Sequence, residues 1–134
     1  MRLINIDHIT INLLDIPRSI AFYQDVLGLP SLPSVAMEDH ILHYFQLPGG
    51  CRLELIEDQF ATRTAATTVT DRGTYRHLAL QVDDLDALRR SCERFGAAIT
   101  AAPAQIPRLG FRNMLVRDPN GVEIEFLERP APGC

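Results

Sequence analysis

The chain says much of its plan twice. Residues 47–57, LPGGCRLELIE, lie over residues 118–128, DPNGVEIEFLE, so that Leu53-Glu54-Leu55-Ile56-Glu57 falls on Ile124-Glu125-Phe126-Leu127-Glu128 at a spacing of 71 residues. His8 falls on His77 at a spacing of 69, a drift of two residues that changes in the loops account for. Internal repetition narrows the choice of fold sharply, because each copy must bury its apolar face with the same few elements.

The elements of each copy can be read from periodicity. IDHITINLLD alternates, with Ile9, Ile11 and Leu13 on one face and His8, Thr10 and Asn12 on the other, the pattern of a half-buried strand. A helix follows in DIPRSIAFYQDVLGL: Pro17 suits its first turn, Ile20, Tyr23 and Leu27 share a face, and Gly28 closes it. Strands are predicted at 35–37, 40–47 and 51–57, with PGG at 48–50 as a turn. From residue 75 the order restarts with the strand YRHLALQV, the helix DLDALRRSCERFG carrying Leu85, Leu88, Cys92 and Phe95 at helical spacing, and then further short strands. The expected architecture is α+β: one domain over 1–134 made of a βαβββ module at 1–57, a linker at 58–74 and a second βαβββ module at 75–128. The linker, rich in Thr and Ala, reads as a lid over a cleft, a plain connection or a dimer contact.

Alternation also decides which polar residues can meet. Opposite the apolar pairs Ile9/Ile11, Leu53/Leu55, Leu78/Leu80 and Ile124/Phe126 stand His8, Glu54, His77 and Glu125, one metal-ligand type on each of four strands. If the sheets curl around a shared cleft, two imidazoles and two carboxylates converge there. Such a set suits one divalent ion of zinc, nickel, cobalt, manganese or iron. Singly, a strand histidine is more often a hydrogen-bonded surface residue, and a strand glutamate a solubilising charge; the equivalence of both pairs in the repeat argues for the joint reading. His40 and His43 have no counterparts and are assigned to ordinary strand surface. Glu57, Glu123 and Glu128 are assigned to solubilising charge or to partners for arginines. Asn12, Arg52, Thr10 and Tyr75 share faces with the candidate ligands and suit either substrate contact or support of the ligands. Arg108 and Arg112, near or within the loop 103–112, are the candidate anion contacts.

Composition excludes several partners. A formal charge of −4, with Arg89, Arg90 and Arg94 as the only basic cluster, does not favour a nucleic acid. No apolar run approaches the ~18 residues of a membrane span. The start lacks the pattern of a secretory leader, which predicts a cytoplasmic protein. Cys51, Cys92 and Cys134, odd in number and widely spaced, suggest neither a disulfide framework nor a thiolate zinc site.

Four stretches, DHITINLLDIPRSIAFYQDVLGL at 7–29, LELIE at 53–57, YRHLALQVDDLDAL at 75–88 and RDPNGVEIEFLE at 117–128, resemble the vicinal oxygen chelate superfamily of glyoxalase I, methylmalonyl-CoA epimerase, fosfomycin-resistance proteins, extradiol dioxygenases and bleomycin-resistance proteins. The resemblance implies paired βαβββ modules in a curled mixed sheet around a metal cleft, and commonly a homodimer. It carries the family's metal positions to His8, Glu54, His77 and Glu125, with Glu125 or Glu54 as the catalytic base. It implies a metal-dependent lyase or isomerase that binds a small molecule through vicinal oxygens and works through an enolate or ene-diolate. The alternatives are a mononuclear Fe(II) extradiol-type dioxygenase using His8, His77 and Glu125, a fosfomycin-type resistance enzyme, or a non-enzymatic binding module of the bleomycin-resistance type. One departure separates the chain from glyoxalase I: Asn12 stands where that enzyme has an arginine for the glutathione carboxylate, and Asp58 is an acid at a second polar position of that site. The metal set is similar to that of glyoxalase I; the glutathione contacts are not.

Overall fold

The computed structural model describes residues 1–59 and 72–132. Most of the proposed lid or linker at 58–74, and Cys134, lie outside the described residues. The chain divides into two compact units, Met1–Thr64 and Ala65–Cys134. The first runs β1 (His8–Asn12), α1 (Ile16–Ala21), β2 (Ser31–Ala36), β3 (His40–Gln46) and β4 (Arg52–Asp58). The second runs β5 (Leu78–Gln81), α2 (Leu85–Phe95), β6 (Ala98–Ile106), β7 (Phe111–Arg117) and β8 (Glu123–Glu128). Each is βαβββ, and the α+β class holds.

The two four-stranded mixed sheets have the same order, β1-β4-β3-β2 and β5-β8-β7-β6. Their registers are the same as well. Ile9 faces Leu53, and Thr10 faces Glu54, in the parallel β1–β4 pair; Leu78 faces Ile124, and Ala79 faces Glu125, in β5–β8. On the antiparallel side Tyr44 faces Glu54 and Leu115 faces Glu125. The repeat read from letters is thus a repeat of ladder positions. Even the irregularities recur: edge strands β2 and β6 each shift register around a proline, Pro33 between Leu32 and Val35, and Pro103 between Ala101 and Ala104. Proline has no N–H to give to a ladder, and an edge is where that loss is tolerated.

One face of each sheet is core. Phe45, Leu53 and Leu55 are buried in the first unit, and Met114, Val116, Ile124 and Phe126 in the second. Asp15 caps α1, its carboxylate accepting from the Arg18 N–H at 3.1 Å. The helix then widens into a π turn over Phe22–Val26, closed by Leu27 N–H on the Phe22 carbonyl at 3.1 Å. This differs from the single regular helix expected, and the wider turn lets adjacent Phe22 and Tyr23 both reach the core. Their rings meet edge-on at 5.1 Å, and Tyr23 packs on Phe45 at 6.3 Å. In the second unit Asp84 caps α2 through the Ala87 N–H at 2.8 Å, and Gly96 ends it in the left-handed region at φ 78°. Cys92, on the inner face of α2, is fully buried, and that burial pushes its thiol up to about 11.

Two strand limits differ from expectation. β2 begins at Ser31 rather than 35, because the ladder resumes on both sides of the Pro33 irregularity. β5 is shorter than the predicted 75–82: pairing starts at Leu78, leaving exposed Tyr75 and Arg76 ahead of the ladder. Among the described residues no helix is long and apolar enough to cross a membrane.

Candidate functional site

In the first unit the face opposite the core carries His8 and Thr10 from β1, Arg52 and Glu54 from β4, and Tyr44 from β3, as their registers require. Glu54 is 8% exposed, and both of its oxygens are taken: Thr10 Oγ1 donates to Oε1 at 3.1 Å and the Tyr44 hydroxyl donates to Oε2 at 2.5 Å. A buried carboxylate needs such donors, and bonds to a charged acceptor are the stronger kind. The carboxylate in turn holds the Tyr44 hydroxyl protonated above its ordinary range, chiefly through that hydrogen bond and then through desolvation. His8 is more open, its side chain 40% exposed, with Nδ1 at 2.6 Å from Asp7 Oδ1. Arg52 reaches the same Asp7 oxygen at 3.1 Å and lies over the Tyr44 ring at 4.6 Å. His8 first and Arg52 second hold the Asp7 carboxyl below its usual range.

In the second unit His77 stands just before β5, beside Glu125 on β8. Its Nε2 is 2.7 Å from Glu125 Oε2, and Asn113 Nδ2 on β7 donates to Glu125 Oε1 at 3.3 Å. The other ring nitrogen, Nδ1, is buried and has no hydrogen-bond partner, the only such side-chain atom among the described residues. Glu123 Oε1 is nearest at 3.6 Å, beyond hydrogen-bond length. Glu123 is 7% exposed, so the reading of it as a solubilising charge or an arginine partner is corrected: β8 turns it to the same face as Glu125, beside His77. The DPNG turn before β8 sets this placement. Asp118 accepts from the N–H groups of Asn120 at 2.9 Å and Val122 at 2.8 Å, while Gly121 takes φ 87°.

The remaining candidates are dispersed. Asn12 is exposed at the end of β1, Tyr75 is exposed ahead of β5, and Arg108 is exposed in the β6–β7 turn. Arg112 forks onto Asp86 of α2 at 3.1 and 3.2 Å and lies 3.6 Å from Glu128, clamping the first turn of α2 to the sheet. Glu128 also accepts from the Leu85 N–H at 2.6 Å. His43 is not plain strand surface. It bridges strands, with Nδ1 at 3.2 Å from Ser34 Oγ and Nε2 at 2.7 Å from Glu57. Tyr44 and Asn113 went unmarked in the sequence, although alternation with hairpin register could have put both on the face of a candidate glutamate.

Among the described residues no group of three or more His, Cys, Asp or Glu gathers as a ready-made metal site. Each unit offers one carboxylate at the same ladder position of its last strand, Glu54 or Glu125, and one imidazole at the start of its first strand or just ahead of it, His8 or His77, donor types of a borderline set. The profile of the Glyoxalase/Bleomycin resistance protein/Dioxygenase superfamily matches residues 5–126. The chain belongs to that superfamily. Within it, the chain is 29% identical to a lactoylglutathione lyase of Haemophilus influenzae over 90% of both chains. Its fold is similar to that of a glyoxalase family protein from Bacillus cereus, with a TM-score of 0.81, 17% identity and coverage of 98% of this chain and 97% of that one. The trypanothione-dependent glyoxalase I of Leishmania major is also similar, with a TM-score of 0.73, 26% identity and coverage of 94% and 87%. Superfamily membership accords with the doubled βαβββ plan. The superfamily's own name spans enzymes and a resistance protein, so membership alone does not assign the chemistry.

Proposed function

We propose that the chain is a metal-dependent lyase or isomerase of the glyoxalase type, in which His8, Glu54, His77 and Glu125 hold one divalent ion of the Ni, Zn, Co, Mn or Fe group. The substrate is a small molecule with two neighbouring oxygens, and a homodimer is the working assembly. The observation that carries this reading is the shared register, which puts Glu54 and Glu125 at equivalent positions of the two parallel strand pairs, with a histidine at the start of β1 and another just ahead of β5. The donors fit the ion: two imidazoles and two carboxylates are a borderline set, and one such pair already meets in the second unit, His77 Nε2 with Glu125 Oε2 at 2.7 Å.

When bound, the ion supplies Lewis acidity that draws charge from the two substrate oxygens and makes the adjacent C–H acidic. Glu125 is the base. Its anchorage is the looser of the two, since Oε1 has only the 3.3 Å contact from Asn113, whereas both oxygens of Glu54 have close hydroxyl donors. A carboxylate that must turn and take a proton needs that freedom. Arg52, Asn12, Tyr75 and Arg108 are the residues proposed to orient substrate; Arg112, the other candidate, is already committed to Asp86 and Glu128. Asn12 and Asp58 favour a substrate other than a glutathione thioester, because an acid repels the carboxylates that glutathione carries.

The test is elemental analysis of the purified protein before and after reconstitution, together with exchange of the substrate C–H in deuterated water. About one ion per chain is expected, with exchange lost in Glu125→Gln and metal retention weakened in Glu54→Gln. No ion after reconstitution, or exchange unchanged in both variants, overturns the reading. A second reading, a binding module that sequesters its ligand without chemistry, is favoured by Glu54 alone, whose two oxygens are satisfied by Thr10 and Tyr44 with no ion needed. It requires ligand binding that is indifferent to added metal.

A further inference from the structure

The two histidines meet their nearest carboxylates from opposite strands. In the first unit Asp7, just ahead of β1, sits at 2.6 Å from His8 Nδ1, and Arg52 across on β4 holds that Asp7 at 3.1 Å. The corresponding positions of the second unit, reached by the same registers, are Arg76 ahead of β5 and Glu123 on β8. The charges have changed places. The acid that faces Nδ1 precedes the first strand in one repeat and lies on the last strand in the other. Glu123 is buried, its Oε1 is the nearest carboxylate oxygen to His77 Nδ1 at 3.6 Å, and that nitrogen is buried without a partner. A buried carboxylate facing a buried imidazole nitrogen costs free energy unless the two can close on each other.

We infer that Glu123 is the positioning residue of His77: its carboxylate accepts the Nδ1 proton, leaves Nε2 as the ligand nitrogen, and does for His77 what Asp7 does for His8. The inference rests on the metal reading above. In the present arrangement Nε2 is spent on Glu125 at 2.7 Å. When Nε2 and Glu125 both turn to an ion, the ring is left with one proton, and that proton must sit on Nδ1. A small rotation of the ring or of Glu123 shortens the 3.6 Å gap to hydrogen-bond length. Acids that hold the far nitrogen of a metal-bound histidine fix its tautomer and raise its basicity, and their loss typically costs about 10- to 100-fold in metal affinity.

The experiment measures Zn²⁺ affinity by chelator competition on the full chain, with ring ¹⁵N and ¹H NMR of the zinc-loaded protein. Wild type should show a slowly exchanging Nδ1 proton on His77. Glu123→Met keeps the reach and removes the acceptor; it should lose about 10- to 100-fold in affinity together with that resonance. Glu123→Gln, which retains a neutral acceptor, should fall between, and keeps the test open if the methionine variant does not fold. The exchanged pair Arg76→Asp with Glu123→Arg copies the arrangement of the first repeat and should recover affinity, a rescue that a purely structural role for Glu123 would not give. Wild-type binding left unchanged by Glu123→Met and Glu123→Gln overturns this inference and spares the metal reading. Failure of the wild type to bind zinc, nickel, cobalt, manganese or iron overturns the metal reading, and this inference with it.

Discussion

The two repeats agree on the face that is buried and disagree on the face that is not. On the core side, Leu53 and Leu55 of the first unit stand at the ladder positions of Ile124 and Phe126 of the second, and all four are buried. On the polar side, Thr10 becomes Ala79, Tyr44 becomes Leu115, Leu42 becomes Asn113, and the pair Asp7 and Arg52 becomes Arg76 and Glu123. The same backbone therefore holds two glutamates in different ways. Glu54 is fixed by two hydroxyl donors, while Glu125 rests between an imidazole and a distant amide. Register is maintained by burial, because a slip of one residue would turn every apolar side chain to the wrong face. The polar face has no such restraint and is where the copies can be given separate tasks.

The largest effect should come from breaking the face on which the repeats agree. Phe126→Ala should cost about 3–5 kcal/mol and its counterpart Leu55→Ala about 2–5 kcal/mol, each the transfer term plus an unfilled cavity. Urea unfolding measures both. A loss below about 1 kcal/mol at either position would mean that the sheet in question does not depend on this face.

That agreement was legible in the sequence, since period-two alternation with a fixed spacing is a property of letters. The βαβββ order, Pro17 in the first turn of α1, Gly96 at the end of α2, and the faces of the four strands could all be drawn from it. What could not be drawn was depth. Glu123 and Glu128 alternate with buried residues in the same strand as Glu125, yet one is buried beside His77 and the other caps α2 through Leu85. Both placements depend on chain segments far away in sequence. The π turn was hidden for a related reason: Ile20, Tyr23 and Leu27 satisfy a regular helix, while the packing of Phe22 and Tyr23 against each other and of Tyr23 on Phe45 is not a property of local spacing. Arg112 looked free for an anion because its partner Asp86 lies in another element.

A smaller effect sharpens the contrast between the two glutamates. Glu54→Gln should cost about 1–3 kcal/mol, since Thr10 and Tyr44 lose a charged acceptor in a buried place, and Glu125→Gln should cost less. Equal losses in thermal or urea unfolding would remove the claim that Glu54 is the fixed member. The same variant has a pH signature. Tyr44 loses its proton above the ordinary tyrosine range, because Glu54 accepts its hydrogen bond and opposes the phenolate. The fold thus favours the neutral phenol, and the stability it draws from that preference is fully present below about pH 10 and is lost as pH rises through the folded value. In Glu54→Gln the Tyr44 midpoint, followed by ring ¹³C NMR, should move down; an unmoved midpoint would mean that the carboxylate is not the cause.

The smallest effect lies at a contact that only the second repeat has. Arg112 on β7 clamps Asp86 of α2, and its ladder counterpart in the first repeat is the apolar Ile41, so the first unit has no equivalent clamp from that position. The Arg112 hydrogen bonds, ahead of their charge attraction, hold the Asp86 carboxyl below its ordinary value. A carboxyl lowered by folding contributes stability above its unfolded value, and that contribution disappears as pH falls through the lower folded value. Both side chains are open to water and salt, which keeps the contribution small. Asp86→Asn should therefore lower the urea midpoint slightly at pH 7 and in low salt, and the gap to wild type should close as the pH is taken below Asp86's folded value, or as salt is raised. A gap that survives acid would show that the fork acts through shape rather than charge, and α2 would then be held to its sheet by packing alone, as the first repeat holds Tyr23 against Phe45.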